Sequence, residues 1–406
     1  MRISSNTIYD SNVAALGQQQ TNLLKTQQQV STGRKIQTAS DDPVAAARAI
    51  SVNQADAMNT QYAANRTSVR HTLSLAESNL QGVTALIQDV QTAAVSAGNG
   101  SLSAIDRRTI ATELSGRLQE LVGLANSTDG AGNYLFSGFQ SQAQPFADVA
   151  GVISYNGDDG QRLAQANASR QIAASDSGAD IFMRVKNGNG TFITQATAGN
   201  TGTGIISPGS ITDPAALVAG NSYTISFSVA AGVTSYTVTG APAALVPAMA
   251  GIAYVSGQAV SFGGMQLDIQ GAPANGDTFT VVPSTNESIF KTISDLITAL
   301  NATVPTAANG GTTGLTNSLN RGLNNLDNAL NNILSIRSSL GLRLQEVDAL
   351  QTAGDDLSLQ FKQTLSQLQD VDYNKALSDV TQQMTSLQAA QKSFAAVSNL
   401  SLFNYI

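Results

Sequence analysis

The sequence predicts an α+β protein: a long antiparallel, coiled-coil-like helical rod built from the two ends of the chain, with a β-rich lobe inserted between them. Two observations lead to this prediction. Near both ends, apolar residues recur every three or four positions, which is the spacing of one face of a helix. Between the ends, short runs alternate apolar and polar residues and are separated by Gly, Asn and Pro, which is typical of strands joined by turns.

Composition narrows the possible functions. A chain of 406 residues exceeds what one hydrophobic core usually serves, so we expect two or three modules. Charged residues make up only 12% of the chain and its net charge is −7, which argues against nucleic acid as a partner because phosphates require clustered Lys and Arg. The chain has no cysteine, no apolar signal segment at its start and no run of 18 apolar residues, so we expect neither disulfides nor membrane insertion.

Three helices are predicted in the first part of the chain. Residues 5–33 form the first, which ends at Gly33, a residue suited to the position after a helix. Asp42 and Pro43 are a strong helix start, and they predict a long helix over 43–97. A third helix is predicted over 103–126.

The middle of the chain, residues 133–283, reads as β-rich, with one or two small modules. Two hairpins are predicted there, one of them across Gly263 and Gly264, together with a closing strand. The predicted strands are 223–229, 235–239, 259–262, 265–269 and 277–282.

Helical spacing returns in the last part of the chain. We predict a helix over 285–301, and a long helix that begins after a Gly- and Thr-rich loop ending near residue 314. Gly354 is a candidate kink in the long helix. A terminal helix is predicted to start at Asp370–Asp372.

Both terminal helices carry a stripe with the a/d spacing of a coiled-coil seam, in which glutamine occupies some positions. The stripes are Val13, Leu16, Gln20, Leu23, Gln27, Val30 and Leu377, Val380, Met384, Leu387, Gln391, Phe394. Isolated helices of this kind are marginal in water, so one hypothesis is that both ends are disordered in the monomer and fold on assembly. The alternative is an ordinary intramolecular helical bundle.

The candidate self-association residues are the apolar members of these stripes and of the C-terminal tail. They are Val13, Leu16, Leu23, Val30, Leu377, Val380, Met384, Leu387, Phe394, Val397, Leu400, Leu402 and Phe403. The domain boundaries that follow are 1–42 for an N-terminal assembly helix, 43–132 and 284–354 for the two halves of the rod, 133–283 for the lobe, and 355–406 for a C-terminal assembly helix.

Residues suited to catalysis are sparse. His71 is the sole histidine and stands at a helix-surface position, so no nucleophile–base pair or zinc site can be built around it. The segment Asn156–Gly160 has some features of a calcium loop but lacks the closing Glu, and a turn explains it better. We therefore predict no catalytic, cofactor or metal site, and a protein that is not an enzyme.

Motifs near both ends resemble those of the flagellin superfamily. Ser31–Ile36 and Ala39–Ala46 are similar to its N-terminal signature, and Asp370–Tyr373 and Leu387–Ala390 are similar to its C-terminal signature. Within the superfamily, the chain resembles the hook–filament junction branch more than filament flagellins. That resemblance rests on the opening Met1–Ser4, the segment 132–139 leading to Pro145 and Phe146, the ending 399–406, and Leu80–Leu86 where flagellins have a charged helix segment.

The resemblance implies a structural subunit of the bacterial flagellum that adapts the hook to the filament. It further implies export through the flagellar type III apparatus and a location outside the cell. The implied partners are other copies in a ring, the first hook–filament junction protein, filament flagellin, and a cytoplasmic chaperone that holds the C-terminal helix. The alternatives are filament flagellin itself, a secreted rod whose lobe binds a ligand or carries an enzyme, and, more weakly, a coiled-coil adhesin.

Overall fold

The computed structural model describes residues 5–304 and 310–399. Within these ranges the chain forms six α-helices, three before the β-rich region and three after it. They are α1 (Ser5–Thr32), α2 (Pro43–Ala97), α3 (Ala104–Ala125), α4 (Ile289–Asn301), α5 (Thr313–Gln369) and α6 (Tyr373–Asn399). The predicted α+β fold, with helices from the two ends and a β-rich insertion, is confirmed.

Local capping explains where several helices begin. The carboxylate of Asp42 accepts a hydrogen bond from the backbone N–H of Ala45 at 3.0 Å. Asp42 directly precedes Pro43, the first residue of α2. Ser103 and Asp106 form a reciprocal capping box at the start of α3. These side chains satisfy N–H groups that have no partner within the helix, so the sequence determines both starts locally.

Two expectations about the C-terminal helices need correction. The predicted helix start at residue 285 is wrong, because Asn286–Glu287 pairs as a strand with Val185–Lys186 and α4 begins only after Ser288. The candidate interruption at Gly354 does not occur, since α5 is a continuous helix through that position. The Gly354 carbonyl accepts the side-chain amide of Asn59 at 2.7 Å.

The β-rich region contains fifteen strands in the described part of the chain, most of them short. They are β1 (Phe146–Val149), β2 (Val152–Tyr155), β3 (Leu163–Gln165), β4 (Gln171–Ala173), β5 (Val185–Lys186), β6 (Phe192–Ala196), β7 (Ile205–Ile206), β8 (Ser210–Ile211), β9 (Ser222–Ala230), β10 (Val233–Ala241), β11 (Met249–Ala253), β12 (Ala259–Phe262), β13 (Met265–Gln270), β14 (Thr278–Pro283) and β15 (Asn286–Glu287). Short π- and 3₁₀-helices occupy Ala179–Met183 and Pro214–Ala216.

Two antiparallel sheets share one hydrophobic core and form a small sandwich. The larger sheet has the order β11-β10-β9-β14-β6, and the smaller one joins β12, β13, β7 and β8. Alternate residues of β9 and β14, such as Ile225, Phe227 and Phe279, are buried between the sheets. The stretch 187–283 carries three charged residues, Asp213, Asp268 and Asp277, so almost all of the sandwich surface is neutral.

A second β-rich part lies between α3 and the sandwich, where β1 pairs with β2 and β3 pairs with β4. Its interior holds an aromatic cluster of Phe136, Phe146, Phe182 and Phe290, with ring centroids 5.2–5.8 Å apart. Phe290 belongs to α4, so this cluster attaches the small sheets to the helices.

The chain divides into two compact units, one formed by 1–64 and 349–406 and the other by 65–348. In the larger unit, α2 and α5 run antiparallel, as shown by the Glu77–Arg337 ion pair at 2.7 Å and the Gln91–Asp327 hydrogen bond at 2.7 Å. Their facing residues are fully buried. These include Leu73, Leu80, Val83, Ile87 and Val90 on α2 and Leu326, Ile333, Leu340 and Val347 on α5.

Candidate assembly surface

In the smaller unit, α1 and α6 form an antiparallel pair. At one end, the carbonyl of Gly33 accepts the N–H of Val371 at 3.0 Å, and the N–H of Lys35 donates to the carbonyl of Gln369 at 2.6 Å. At the other end, the rings of Tyr9 and Phe394 lie 5.3 Å apart. The backbone bonds between 33–35 and 369–371 therefore set the register of the pair, and we call this element the joint.

One side of each helix faces the partner helix. On α1 the less exposed positions follow the spacing of four and three residues and include Leu16, Leu23 and Val30. On α6 the matching positions include Val380, Leu387 and Phe394. Polar residues share this seam, namely Asn12, Gln19 and Thr26 on α1 and Gln383 on α6.

A second line of large apolar side chains on each helix remains exposed. These side chains are 44% to 64% exposed, and they are Tyr9, Val13 and Leu24 on α1 and Tyr373, Leu377 and Met384 on α6. At 3.6 residues per turn, each line stands roughly a quarter turn from its seam, in the same rotational sense along both helices. Because the helices are antiparallel, both lines lie on one side of the pair, and we call this surface the open apolar face.

The candidate self-association residues thus fall into two groups. Leu16, Leu23, Val30, Val380, Leu387 and Phe394 lie in the seam, whereas Val13, Leu377 and Met384 lie on the open apolar face. The described part of the structure does not include Leu400, Leu402 and Phe403, or the side chain of Val397. The structure adds Tyr9, Leu24 and Tyr373 to the face. Tyr9 lies four residues before Val13, Leu24 lies eleven residues after Val13, and Tyr373 lies four residues before Leu377. This helical spacing is the sequence signal that places them on the face, and the predicted stripes do not include it.

The link between α1 and α2 is organised by one carboxylate. The Asp41 carboxylate accepts hydrogen bonds from the Lys25 ammonium at 2.7 Å and from the backbone N–H groups of Thr38 and Gln37 at 2.9 and 3.1 Å. The Lys25 hydrogen bond, followed by those two N–H groups, holds the pKa of the Asp41 carboxyl well below its usual range. The ionised carboxylate therefore fastens the link to the end of α1.

Features that would indicate other chemistry are weak. His71 is exposed on α2, and the carboxylate of Asp158 accepts hydrogen bonds from the backbone N–H groups of Gly160 and Phe139. A cavity of about 280 Å³ between β6 and α5 has Asn317, Arg321 and Asn324 in its wall, and no carboxylate or imidazole belongs to its described lining. Over 5–304 and 310–399, no group of three or more metal-binding side chains occurs. No helix in those ranges has both the length and the apolarity to cross a bilayer.

The sequence matches two family models at its two ends. Residues 3–141 match the bacterial flagellin N-terminal helical region, and residues 323–406 match the bacterial flagellin C-terminal helical region. The chain is also 30% identical over 405 residues to flagellar hook-associated protein 3 of Salmonella typhimurium, a match that covers 99% of both chains.

Solved structures from Legionella pneumophila are similar to this chain. Its flagellar hook-associated protein-3 superposes with a TM-score of 0.74 at 34% identity, covering 78% of this chain and 98% of the other. A structure described as the flagellar junction protein FlgL gives a TM-score of 0.71 at 33% identity, covering 80% of this chain and 100% of the other. The similarity therefore includes both the sequence and the arrangement of helices and strands.

Proposed function

Because the chain belongs to the flagellin superfamily, in the group of flagellar hook-associated protein 3, we propose that it is a structural subunit of the bacterial flagellum that forms the junction ring between hook and filament. The observation that carries the proposal is the match to flagellar hook-associated protein 3 over 99% of both chains. That match extends through the β-rich region, whereas the flagellin models match the two ends.

The open apolar face supports a role in assembly. Burying a side chain of Leu or Met size contributes about 1.5–3 kcal/mol, and six large apolar side chains of the α1–α6 pair remain 44% to 64% exposed. Apolar surface concentrated on one side of a helix pair is typical of an interaction site. In the proposed ring, the same face of neighbouring copies, or of the adjoining hook and filament proteins, covers it.

We propose further that residues 5–32 and 373–399 are disordered in the free subunit and form the α1–α6 pair on assembly. Two glutamines support this. The side-chain oxygens of Gln19 and Gln383 are buried in the seam and have no hydrogen-bond partner among the described residues. A buried acceptor without a partner costs about 1–3 kcal/mol, which a single pair of helices with few apolar seam residues cannot readily offset.

The remaining elements of the proposal rest on the family. The subunit is exported unfolded by the flagellar type III apparatus, a cytoplasmic chaperone binds its C-terminal helix, and it functions outside the cell without catalytic activity. Its partners are other copies of itself, the first hook–filament junction protein and filament flagellin. In this proposal, residues 1–42 and 355–406 mediate assembly, residues 43–132 and 284–354 form the rod, and residues 133–283 project outward.

Deletion of the gene tests the junction role directly. We expect cells with intact hooks, no filaments, and flagellin shed into the medium. Normal filaments in the deletion strain would refute the role. Purified protein that grows into long filaments by itself would favour filament flagellin instead.

Complementation then tests the open apolar face. Leu24→Gln combined with Leu377→Gln should leave the secreted subunit folded but reduce motility strongly, because the face loses apolar surface needed by a neighbour. The matched control is Gln18→Leu, which changes an exposed position on the opposite side of α1, and cells carrying it should swim normally. Wild-type motility of the double variant would contradict the assembly role of the face.

A further inference from the structure

The long helices change character near residues 65 and 348. In α2, ten apolar side chains from Val69 to Ala97 are fully buried, whereas the described stretch 43–64 buries only Ala49 and Asn59. In α5, 319–347 includes Leu319, Leu326, Ile333, Leu340 and Val347 as buried residues, whereas 349–369 buries only Gly354. The hydrophobic core along both helices therefore ends within one helical turn of these positions.

The hairpin of β3 and β4 lies at that limit and is held by α2. The guanidinium of Arg66, which is 99% buried, donates to the carbonyl of Ala166 at 2.7 Å. The neighbouring Asn65 donates its side-chain amide to the carbonyl of Gln165 at 2.9 Å. Ala166 and Ile172 are themselves almost fully buried, so apolar packing holds the hairpin in addition to these hydrogen bonds.

The same hairpin is held by α5. Arg170, at its turn, makes a bidentate ion pair with Glu346, with Nη2 2.9 Å from Oε2. This hydrogen bond lowers the pKa of the Glu346 carboxyl. Arg343 donates to the carbonyl of Ala173 at 3.1 Å and pairs with Asp176 just after β4. One hairpin is thus bonded to both helices at the level where their core ends.

We propose that the β3–β4 hairpin is a clasp that closes α2 against α5 and marks where the independently folded part of the subunit ends. The parts of α2 and α5 on the core side of the clasp, 65–97 and 313–348, unfold together with the core. The parts beyond the clasp, 43–64 and 349–369, open in a separate step of lower free energy, because few apolar contacts hold them. This inference concerns the isolated subunit and does not depend on the junction role.

Amide hydrogen exchange of the full-length monomer tests the clasp. We expect a sharp rise in exchange rate on passing from 65 to 64 and from 348 to 349. Arg66→Met should accelerate exchange in 65–72 and 340–348 by about ten-fold or more, since it removes buried hydrogen bonds from a charged group. Equal protection of 43–64 and 65–97 would overturn the proposal.

A second pair of variants keeps the test decisive if Arg66→Met does not fold. Arg170→Glu should accelerate exchange in the hairpin and in 340–348 by about three-fold, and the reversed pair Arg170→Glu with Glu346→Arg should restore it. Arg70→Gln is the matched control, because it breaks an exposed α2–α5 ion pair with Asp348 that is separate from the hairpin. Native exchange rates in Arg170→Glu, or equal effects of Arg70→Gln, would overturn the clasp.

Discussion

The α2–α5 pair and the α1–α6 pair are both antiparallel and share the same three-and-four spacing of apolar residues, yet they bury them very differently. Leu73, Leu80 and Ile87 of α2 are completely inaccessible to solvent, whereas Leu24 of α1 is 64% exposed. The difference lies in what packs on the remaining sides of each pair. Around α2 and α5 the chain supplies α3, α4 and the clasp, whereas around α1 and α6 one apolar side is left open. Helical spacing thus predicts a helix but does not predict how much of it becomes core.

Truncating one leucine in each pair should give the largest contrast. Leu80→Ala should lower the free energy of unfolding of the isolated subunit by about 2–5 kcal/mol, because it leaves a cavity in a closed core. Leu387→Ala, in the α6 seam, should change it by less than about 0.5 kcal/mol if the terminal pair contributes little on its own. Denaturant unfolding measures both values, and equal losses would remove the contrast between the pairs.

Improving the terminal seam should make the α1–α6 pair resemble the core. Gln383→Leu removes a buried oxygen without a partner among the described residues and adds apolar surface, so it should stabilise the pair by about 1–3 kcal/mol. Amide exchange in 376–394 of the monomer would report the gain. Gln391→Leu, at an exposed position on the same helix, is the control and should change protection little. A larger effect from the control would mean that the seam is wrongly placed.

Two glycines of α1 and the joint should respond in opposite directions to the same substitution. Gly33 has φ +69° and its added Cβ would lie 2.9 Å from the Tyr373 hydroxyl, so Gly33→Ala should cost about 1–2 kcal/mol and expose the Val371 amide. Gly17 lies inside α1 with open space around it, so Gly17→Ala should stabilise the helix by about 0.5–1 kcal/mol. Exchange of the Val371 and α1 amides in the assembled protein would distinguish the two. Unchanged protection of the Val371 amide in Gly33→Ala would contradict the role of the joint.

A smaller effect should appear at low pH in the α1–α2 link. The pKa of Asp41 is lowered in the folded protein, so the carboxylate stabilises the link fully above its unfolded value of about 4 and progressively less as the pH falls below that. Exchange of the Thr38 amide, corrected for intrinsic rate, should therefore rise below about pH 4. Asp41→Asn should show the raised rate at neutral pH, whereas Asp42→Asn, which keeps a capping side chain, should not. The role of this carboxylate would be refuted if the exchange rate of the Thr38 amide changed neither in acid nor in Asp41→Asn.

Elements defined by nearby residues could be predicted from the sequence. The bounds of α2 followed from Asp42 and Pro43 at one end and from the glycines after Ala97 at the other. The β9–β10 and β12–β13 hairpins followed from alternation and from Gly232, Gly263 and Gly264 at their turns. Each of these signals acts within a few residues, so the partner is always close in sequence.

Elements defined by distant partners could not be predicted in the same way. Strand β15 replaced the expected first turn of α4 because its partner, Val185–Lys186, is about a hundred residues away. The terminal seam was similarly ambiguous. Both Val13-Leu16-Gln20 and Asn12-Leu16-Gln19 satisfy the three-and-four spacing, and only the position of α6 selects the second. The sequence pattern predicts a single apolar stripe on each helix, and this stripe does not include the exposed Tyr9 and Tyr373.

The near absence of ions from 187–283 has a consequence for the environment in which the sandwich operates. One of its three aspartates, Asp277, is buried and accepts three backbone N–H groups, which leaves Asp213 and Asp268 as its surface charges. At moderate concentrations, dissolved salt weakens interactions between charges by screening them, and here there is little charge to screen. Binding of other molecules to the sandwich surface should therefore depend little on ionic strength in that range.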